Sequence, residues 1–246
     1  MSATDHGLVP DWPAPARVRA LQTTRRGGVS LAPYDGFNLG DHVGDDPQAV
    51  AANRAALAVA LPATPLWLTQ VHGTAVLDAG VPQRDATADA SVAHGPGAVC
   101  VIMTADCLPV LLCNDKGTVV GGAHAGWRGL CAGVLEATVA AMQVPGETLM
   151  AWLGPTIGRD AFEVGAEVRD AFIAHDANAV SAFRPGSIDS KYWADIELLA
   201  RQRLAAVGVS RVYGGGLCTV SDGERWYSYR RDRTTGRMAS LIWLQD

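Results

Sequence analysis

The chain has 246 residues, of which 48% are hydrophobic and 18% charged, and this is the composition of a globular protein that can bury a core. Its formal net charge of −5 and its lack of a basic run argue against binding to nucleic acid or to an anionic membrane surface. No apolar stretch reaches the roughly 18 to 20 residues that span a bilayer, and the first residues do not resemble a secretion signal, so we expect a cytoplasmic protein.

The five cysteines form an odd-numbered set without the CxxC spacing of structural metal sites and redox motifs. A chain of this length does not need disulfides to fold, so we predict reduced thiols. Four of the five are expected to pack in the core: Cys100, Cys113, Cys131 and Cys218.

The predicted elements begin with an irregular arm over residues 1–16, which contains three prolines and no periodicity. The remaining residues, 17–246, are predicted to form a single domain that opens with a strand at residues 17–23. A long loop rich in glycine, proline, aspartate and asparagine follows this strand. Asp46 and Pro47 then supply the N-cap and first-turn proline of a helix that the alanine-rich sequence continues to about residue 60.

Later in the chain, apolar runs alternate with helical patterns. Runs of valine, isoleucine, leucine and methionine predict buried strands at residues 66–68, 99–103, 108–113, 118–121, 148–153, 211–214 and 238–244. Helical periodicity predicts one helix between His124 and Pro145, and two more at residues 164–175 and 195–207. The mixed order predicts an α+β fold, a layered α/β domain in which mixed β-sheets pack against helices.

One β-hairpin carries the most informative residues. Residues 104–129 join two apolar strands through an Asn-Asp-Lys-Gly turn. If the turn centres between Asp115 and Lys116, Cys107 and His124 lie opposite each other with β-carbons about 4.5 to 5.5 Å apart. A thiolate and an imidazole at that separation can reach one zinc ion. A three-residue loop with Gly117 in a left-handed bulge is an equally good alternative, and it places the pair diagonally.

His72 lies in the segment LTQVHGTAV, where a short predicted strand runs into His-Gly and presents the ring at the strand end. With Cys107 and His124 it gives a three-ligand set with room for a fourth ligand, which suits a catalytic metal site better than a closed structural one. Two other interpretations use the same residues. The side chains can simply pack in the core, or Cys107 and His124 can act without metal as nucleophile and base, as in cysteine hydrolases.

Several motifs, spread over nearly the whole chain, resemble one bacterial family: TRRGGVS, YDGFNLGDHVGDDP, TQVHG, TADCLPVLL, AHAGWRG, GPTIG and YSYRRDRTTGRMASLIWL. It is the laccase-domain, or multicopper polyphenol oxidoreductase, family. Its members are described as zinc-dependent purine nucleoside phosphorylases with adenosine deaminase activity, and some as peptidoglycan editing factors. The resemblance implies a cysteine-hydrolase-like fold in which residues 17–246 form a single catalytic domain.

The resemblance also implies the functional residues. The histidine of VHG, the cysteine of ADC and the histidine of HAGWRG are the metal ligands of the family, and they correspond to His72, Cys107 and His124. These residues are therefore expected to form the catalytic centre with Zn²⁺ as cofactor. The implied partners are phosphate and a purine nucleoside, such as adenosine, inosine or methylthioadenosine. The oligomeric state is left open.

The older laccase name can be tested against the histidines. Multicopper oxidases typically hold their metals with His-x-His pairs, whereas this chain has six histidines and no such pair. A single Cu²⁺ at the same ligands is an alternative, because such sites generally bind Cu²⁺ more tightly than Zn²⁺. Four histidines lack the strand context of the ligands, and we leave them out of the metal site: His6, His42, His94 and His175.

Further residues are candidates for the chemistry itself. Phosphorolysis requires an oxyanion pocket, and its candidates are Asn38, Arg54, Arg128, Arg230 and Arg231. Deamination requires a proton shuttle, but the H-x-E and P-C-x-x-C signature of nucleobase deaminases is absent. Asp106, the neighbour of Cys107, is the candidate for this role.

We therefore predict zinc-dependent phosphorolysis of purine nucleosides, with deamination of adenosine as a second activity. Three rivals are an editing hydrolase that removes misincorporated amino acids from peptidoglycan precursors, a copper-dependent polyphenol oxidase, and a metal-binding module without activity. These rivals differ in the expected assay result. An editing enzyme would hydrolyse its substrate without phosphate, an oxidase would take up oxygen, and a binding module would show no turnover.

Overall fold

The structure, a computed structural model, describes residues 7–246. The first six residues of the predicted arm, with His6, lie outside this range. The strands are β1 (Gly7–Leu8), β2 (Val18–Thr23), β3 (Val76–Asp78), β4 (Ala90–Ala93), β5 (Val99–Thr104), β6 (Leu108–Asn114), β7 (Val120–Ala125), β8 (Leu149–Leu153), β9 (Glu163–Gly165), β10 (Phe183–Pro185), β11 (Lys191–Ala194), β12 (Arg211–Gly214) and β13 (Met238–Leu244). The α-helices are α1 (Pro47–Ala58), α2 (Trp127–Ala132), α3 (Val134–Ala141), α4 (Ala166–His175), α5 (Ile196–Ala206) and α6 (Tyr229–Asp232).

A six-stranded sheet, in the order β12-β8-β6-β7-β4-β3, forms the centre of the fold. It is mixed, because β12 runs parallel to β8 and β3 parallel to β4, while the other pairs are antiparallel. Alternate side chains of β6 face opposite sides of this sheet. Val110 and Leu112 pack in the cluster that contains Leu135 of α3, whereas Leu111 packs with Ile242 of β13.

A four-stranded antiparallel sheet, in the order β1-β2-β13-β5, lies on the second face of the six-stranded sheet. Its own outer face is covered by α1 and the long loop before it, since Leu241 packs with Leu57 of α1 and with Phe37. A small third sheet, β10-β11-β9, packs with α4. The predicted class of mixed sheets packed against helices is confirmed. Within residues 7–246, no helix combines the length and apolar character that crossing a membrane requires.

Several predicted elements are confirmed in detail. The Asp46 side chain accepts a hydrogen bond from the Gln48 amide and caps α1, with Pro47 in its first turn. The last two strands, β12 and β13, have the predicted bounds. These segments combine a clear apolar pattern with clear start and stop signals, so local sequence determines their limits.

Other elements differ from the prediction. Residues 66–68 form an isolated bridge, between Leu66 and Cys100, in place of a strand. The helix after His124 is divided into α2 and α3 at Gly133, whose φ of 105° breaks the helical path. The predicted arm contains β1, which pairs with β2. The short strands β3, β4, β9, β10 and β11 were not predicted because their pairing depends on distant segments rather than on a local apolar run. The helix predicted from residue 164 begins only at Ala166, after β9.

The hairpin of β6 and β7 has a different register from either predicted one. His124 lies opposite Pro109, so the prediction that it faces Cys107 is wrong. The cause is the turn: the Asn114 side chain accepts hydrogen bonds from the Thr118 and Val119 amides and closes a longer loop. Gly117 is left-handed, with φ 62°, as the alternative prediction required. Cys107 therefore lies in the turn that precedes β6, diagonal to His124.

Candidate metal centre

Three side chains converge as the sequence predicted. The ligand atoms of His72, Cys107 and His124 all lie within 4.8 Å of one another. The Cys107 Sγ is 3.7 Å from the His72 Nε2, and the two imidazole rings meet edge to face with centroids 4.8 Å apart. A tetrahedral zinc ion separates a thiolate and an imidazole nitrogen by about 3.6 Å, given its ordinary bond lengths. Two imidazoles and a thiolate are a donor set that suits zinc.

Three separate elements supply these side chains. His124 lies within β7, whose residues are buried throughout. Cys107 ends the turn between β5 and β6, and His72 lies in the loop that precedes β3. The fold thus brings together residues that are 35 and 17 positions apart in the sequence.

Asp89, immediately before β4, connects two of the three candidate ligands. Its fully buried carboxylate accepts hydrogen bonds from the backbone amides of Val71, His72 and Gly73, at 3.1, 2.8 and 2.6 Å. These bonds hold His72 in a left-handed conformation, with φ 60°. The same carboxylate accepts a hydrogen bond of 2.8 Å from the His124 Nδ1. A carboxylate that holds one nitrogen of a histidine leaves the other nitrogen to bind metal and fixes the ring orientation.

Asp106 holds the Cys107 turn in place. Its φ of 94° is strained for a residue other than glycine. One carboxylate oxygen accepts the Thr219 hydroxyl and the other accepts the Arg230 amide, both at 2.6 Å. Its backbone carbonyl accepts the Thr156 hydroxyl and the Ile157 amide. Asp106 lines the cavity, but these contacts describe a positioning residue for Cys107 rather than the proton shuttle that the sequence suggested.

Electrostatics couple the buried groups. Burial alone raises the pKa of the Cys107 thiol, but His124 and His72 outweigh it and lower that pKa to about 6. Burial lowers the pKa of His124, yet the Cys107 thiolate and the Asp89 carboxylate raise it to about 9. Asp89 keeps a lowered pKa despite the opposing effect of burial, because His124 and the Gly73 amide stabilise its charge. Without metal, these shifts therefore favour a thiolate at Cys107 beside an imidazolium at His124.

Gly126 leaves the space that the candidate metal centre needs. A β-carbon built at this position would lie 2.7 Å from the His72 Cδ2 and 3.0 Å from the Cys107 Sγ. Such contacts are shorter than carbon and sulfur atoms tolerate without a shift of their neighbours. The glycine between β7 and α2 is therefore a steric requirement of the site.

The three candidate ligands open into a cavity of about 520 Å³. Its wall includes apolar and aromatic residues: Trp127, Ile157, Phe162, Ile196 and Tyr229. The wall also includes His42 and four cationic side chains, Arg128, Arg230, Arg233 and Arg237, of which Arg128 stacks over Trp127 and Arg230 over Phe162. Cavities of this size hold small-molecule ligands. The wall therefore suits a flat apolar ring that carries, or is accompanied by, an anionic group.

The other sequence candidates are distributed unevenly around this cavity. Arg128 and Arg230 line it. Arg54 instead pairs with Asp41, donates to the Leu39 carbonyl and stacks over Trp67.

Arg231 is likewise committed elsewhere, because it donates to the carbonyls of Thr219 and Trp226. Asn38 is fully buried, and its side chain accepts hydrogen bonds from the Gly40 amide of the long loop and from the Arg237 amide. His42 lines the cavity although it is not part of the three-residue cluster, while His94 and His175 are exposed.

Three charged residues of the site were missed from the sequence: Asp89, Arg233 and Arg237. The sequence feature that could have identified Asp89 is its position directly before an apolar strand, because a charge buried there needs a partner. The two arginines lie in the RRDRTTGRM segment, where nothing in the local pattern distinguishes cavity residues from solvated ones.

Fold and site together define a mixed α/β protein with a candidate metal centre of two histidines and a cysteine at the wall of a ligand-sized cavity. Residues 19–245 match the family described as multi-copper polyphenol oxidoreductase laccase. The chain belongs to this family, which confirms the resemblance that its motifs indicated.

Relatives of the chain carry more specific names. It is 61% identical to a Pseudomonas aeruginosa protein named purine nucleoside phosphorylase PA4543, over 97% of this chain and 98% of that one. It is 58% identical to an Escherichia coli protein named purine nucleoside phosphorylase YfiH, over 96% and 98% of the two chains.

Solved structures have the same fold. The crystal structure of Neisseria meningitidis protein NMB0706 superposes with a TM-score of 0.94 at 51% identity, covering 98% of this chain and all 100% of that one. The structure of YlmD from Geobacillus stearothermophilus superposes with a TM-score of 0.84 at 28% identity, covering 96% and 94%.

Proposed function

We propose that the chain is a zinc-dependent purine nucleoside phosphorylase that also deaminates adenosine, acting in the cytoplasm through one catalytic domain at residues 17–246. The observation that carries the proposal is the convergence of His72, Cys107 and His124 at the wall of a cavity lined by aromatic and cationic residues. The name of the relatives at 58% and 61% identity supports the reaction class.

In this proposal His72, Cys107 and His124 hold the metal, with Cu²⁺ as the alternative ion at the same ligands. When bound, a zinc ion of this kind supplies a Lewis acid and lowers the pKa of a coordinated water. Asp89 keeps the His124 ring oriented and the His72 loop closed, through the contacts described above. Since removal of such a supporting carboxylate typically weakens metal binding, Asp89 is part of the proposed site.

For phosphorolysis, the bond between the purine nitrogen and ribose C1′ breaks, a phosphate oxygen forms a new bond to C1′, and the purine leaves with a proton. The aromatic residues of the wall, such as Trp127 and Phe162, provide apolar surface for the flat base. The arginines of the wall provide charge for the phosphate, because guanidinium groups pair well with phosphate oxygens. Both reactants then lie in one cavity, and orientation alone lowers the barrier.

For deamination, an oxygen from water forms a bond to C6 of adenine and the amino group leaves as ammonia. The reaction needs the base, not the ribose, to point toward the three candidate ligands. Of the three candidate ligands, His72 is the most exposed, and its ring contacts Cys107 and His124. We propose that its side of the cavity accepts the reacting part of the substrate.

A second candidate function has one specific observation in its favour. Asp89, His124 and Cys107 form a connected row of carboxylate, imidazole and thiol, and the pKa of Cys107 is lowered to about 6 by its neighbours. This is the arrangement of a cysteine nucleophile activated by a base and oriented by a third group. It supports an editing hydrolase, acting on amino-acid conjugates of peptidoglycan precursors, as the alternative.

The test is turnover of adenosine by untagged protein, followed by chromatography with and without phosphate. The proposal expects release of adenine and ribose 1-phosphate that requires phosphate, together with slower formation of inosine that does not. Hydrolysis of an amino-acid conjugate by metal-free protein, with no adenine released, would instead support the hydrolase. Oxygen uptake with a phenol would support the copper oxidase suggested by the family description, and no turnover of any substrate would leave a metal-binding module.

A further inference from the structure

The cavity wall carries more positive charge than its neighbours neutralise. The described residues that line it include four arginines but a single carboxylate, that of Asp106. Both oxygens of that carboxylate already accept hydrogen bonds from Thr219 and the Arg230 amide. Among the ion pairs of residues 7–246, none involves the four wall arginines Arg128, Arg230, Arg233 and Arg237.

Arg237 is the best oriented of these four side chains. Its Nη1 donates to the carbonyls of Thr235 and Gly236, each at 3.0 Å. Its backbone amide donates to the Asn38 side chain at 2.8 Å, and its carbonyl accepts the Leu39 amide. The guanidinium is therefore held in one orientation by neutral partners. Such partners restrain the side chain without cancelling its charge, which is the condition for preorganised anion binding.

The long loop also encloses the stem of Arg237. A β-carbon at Gly40 would lie 2.7 Å from the Arg237 Cγ, so only glycine allows the side chain to pass at this point. Burial lowers the pKa of Arg237, while the nearby charges of Cys107 and Asp106 raise it. The guanidinium thus lies partly out of water and within electrostatic reach of the candidate metal centre. A charge that has lost water without gaining an ionic partner favours the binding of an anion.

The remaining arginines are less suited to the central position. Arg230 is restrained in the same way but by longer bonds, since its Nη1 donates to the carbonyls of Ala161 and Glu163 at 3.3 and 3.2 Å, and its guanidinium stacks over Phe162. Arg128 stacks over Trp127. Both side chains add positive charge and further hydrogen-bond donors at the edge of the cavity near Arg237, and so does Arg233.

We propose that Arg237 anchors a phosphate subsite beside the metal centre, with Arg128, Arg230 and Arg233 contributing around it and Asn38 positioning it. The inference rests on the proposed phosphorylase function and deepens it by locating the second reactant. The shared chemistry is a phosphate oxyanion, which comes either from inorganic phosphate or from the phosphate ester of a nucleotide. A bidentate guanidinium contact is the recognition mode that the geometry favours.

The test compares metal-loaded wild-type protein with Arg237→Gln, Arg237→Lys and the control Arg19→Gln. Arg19 is an exposed arginine opposite Trp243, at the other end of β13 from Arg237, so its variant makes the same change of charge away from the cavity. Calorimetric titration measures the affinity for inorganic phosphate and for adenosine 5′-monophosphate. Steady-state kinetics measure the KM for phosphate and for adenosine separately.

We expect Arg237→Gln to weaken phosphate binding and raise the phosphate KM by at least about tenfold, with the adenosine KM changed by less than about threefold. Arg237→Lys keeps the positive charge but lacks the two parallel donors of the guanidinium, so its loss should be smaller than that of Arg237→Gln but still measurable. Arg19→Gln should match the wild type. If the monophosphate rather than inorganic phosphate loses affinity in the Arg237 variants, the subsite is supported and its natural occupant is an ester.

Unchanged affinity for both phosphates in the Arg237 variants overturns the subsite even if adenosine phosphorolysis proceeds normally, and this leaves the proposed function intact. Absence of phosphate-dependent turnover in the wild type instead contradicts the proposed function, and the titration then decides the subsite independently. If circular dichroism shows that Arg237→Gln does not fold, the test uses Arg237→Lys instead. An unchanged phosphate KM and an unchanged affinity for phosphate in that variant count against the subsite.

Discussion

Two neighbouring cavities of this protein each contain a half-buried cysteine, and they share Ile157 in their walls. Cys107 lies in the cavity described above, and Cys218 lies in a second cavity of about 450 Å³. In both cavities, burial alone would raise the pKa of the thiol. Polar neighbours lower that pKa by more, so the pKa of each thiol lies below its ordinary value. The two regions differ in what those neighbours are.

Two imidazoles lower the pKa of Cys107, whereas hydrogen bonds from Ser221 and from the Gly158 and Val220 amides lower that of Cys218. These amide and hydroxyl groups stabilise a thiolate as hydrogen-bond donors, but neither is among the usual protein ligands of zinc. The described residues that line the second cavity include no histidine. An acidic thiol alone therefore does not make a metal centre of this kind, which also needs imidazoles that a buried carboxylate such as Asp89 keeps in place.

The largest expected effect separates the two thiols directly. Cys107→Ala removes the thiolate ligand from a three-ligand site, so metal content should fall to background and turnover of adenosine should be lost, by at least about a thousandfold. Cys218→Ala is the matched control and should keep both. Plasma mass spectrometry and chromatographic assays check the pair, and full activity in Cys107→Ala would remove Cys107 from the centre.

A second large effect tests the space around the ligands. In Gly126→Ala the new methyl group meets the His72 ring and the Cys107 sulfur, so the ligands must move apart and metal affinity should fall by at least about a hundredfold. Gly95, where a β-carbon meets no atom within 4 Å, provides the control Gly95→Ala. Metal affinity is measured by competition with a chromogenic chelator. Equal affinities in the two variants would contradict the steric argument.

An intermediate effect is expected at the supporting carboxylate. Asp89→Asn keeps the size of the side chain but weakens its bonds to His124 and to the His72 loop, so metal affinity should fall by about 10- to 100-fold. The exposed Asp85 gives the control Asp85→Asn.

The same variant has a pH signature. The pKa of Asp89 is lowered in the folded protein, so its charge contributes stability above its unfolded pKa, and this contribution is lost as the pH falls toward the folded value. Chemical unfolding at several pH values should therefore show a shallower acid dependence in Asp89→Asn than in the wild type. An identical acid dependence in both proteins would show that the carboxylate is not held as described.

The smallest expected effect concerns reactivity of the metal-free protein. Because the Cys107 pKa is lowered to about 6, its alkylation by iodoacetamide should stay fast from pH 8 down to about 6 and fall below that. Replacing the imidazole in His124→Gln raises the thiol pKa, so alkylation of Cys107 at pH 7 should slow several-fold. Cys218 in the same sample is the internal control, followed by peptide mass spectrometry. Equal slowing of both thiols would mean that the variant acts through unfolding.

Much of the fold could be predicted from local sequence. The β6–β7 hairpin, α1 and the last two strands carry strong apolar patterns with clear turn or capping residues. The register of the hairpin could not be predicted, because the Asn114 side chain changes the turn length by hydrogen bonds that the spacing does not reveal. A shift of register moves every side chain relative to its partner, and His124 therefore faces Pro109 rather than Cys107.

The candidate site shows the same division. Cys107 and His124 could be associated from one hairpin, whereas His72 was grouped with them from its position at a predicted strand end and from the resemblance to the family. Its approach depends on Asp89, which gathers three consecutive amides and one imidazole from distant segments. Arg237 likewise lies at the cavity with its stem against Gly40 of the long loop, which is distant in sequence. Contacts of this kind join segments that are far apart in the sequence, so the local hydrophobic periodicity does not predict them.

Restoring metal to stripped protein tests the central claim most directly. Protein freed of metal by a chelator is titrated with zinc while phosphate-dependent release of adenine is followed. We predict that activity is absent at first, rises in proportion to added zinc and levels off at one equivalent per chain, with no recovery in Cys107→Ala. Full activity of the metal-free wild type, or a rise that Cys107→Ala shares, would contradict a metal centre formed by His72, Cys107 and His124.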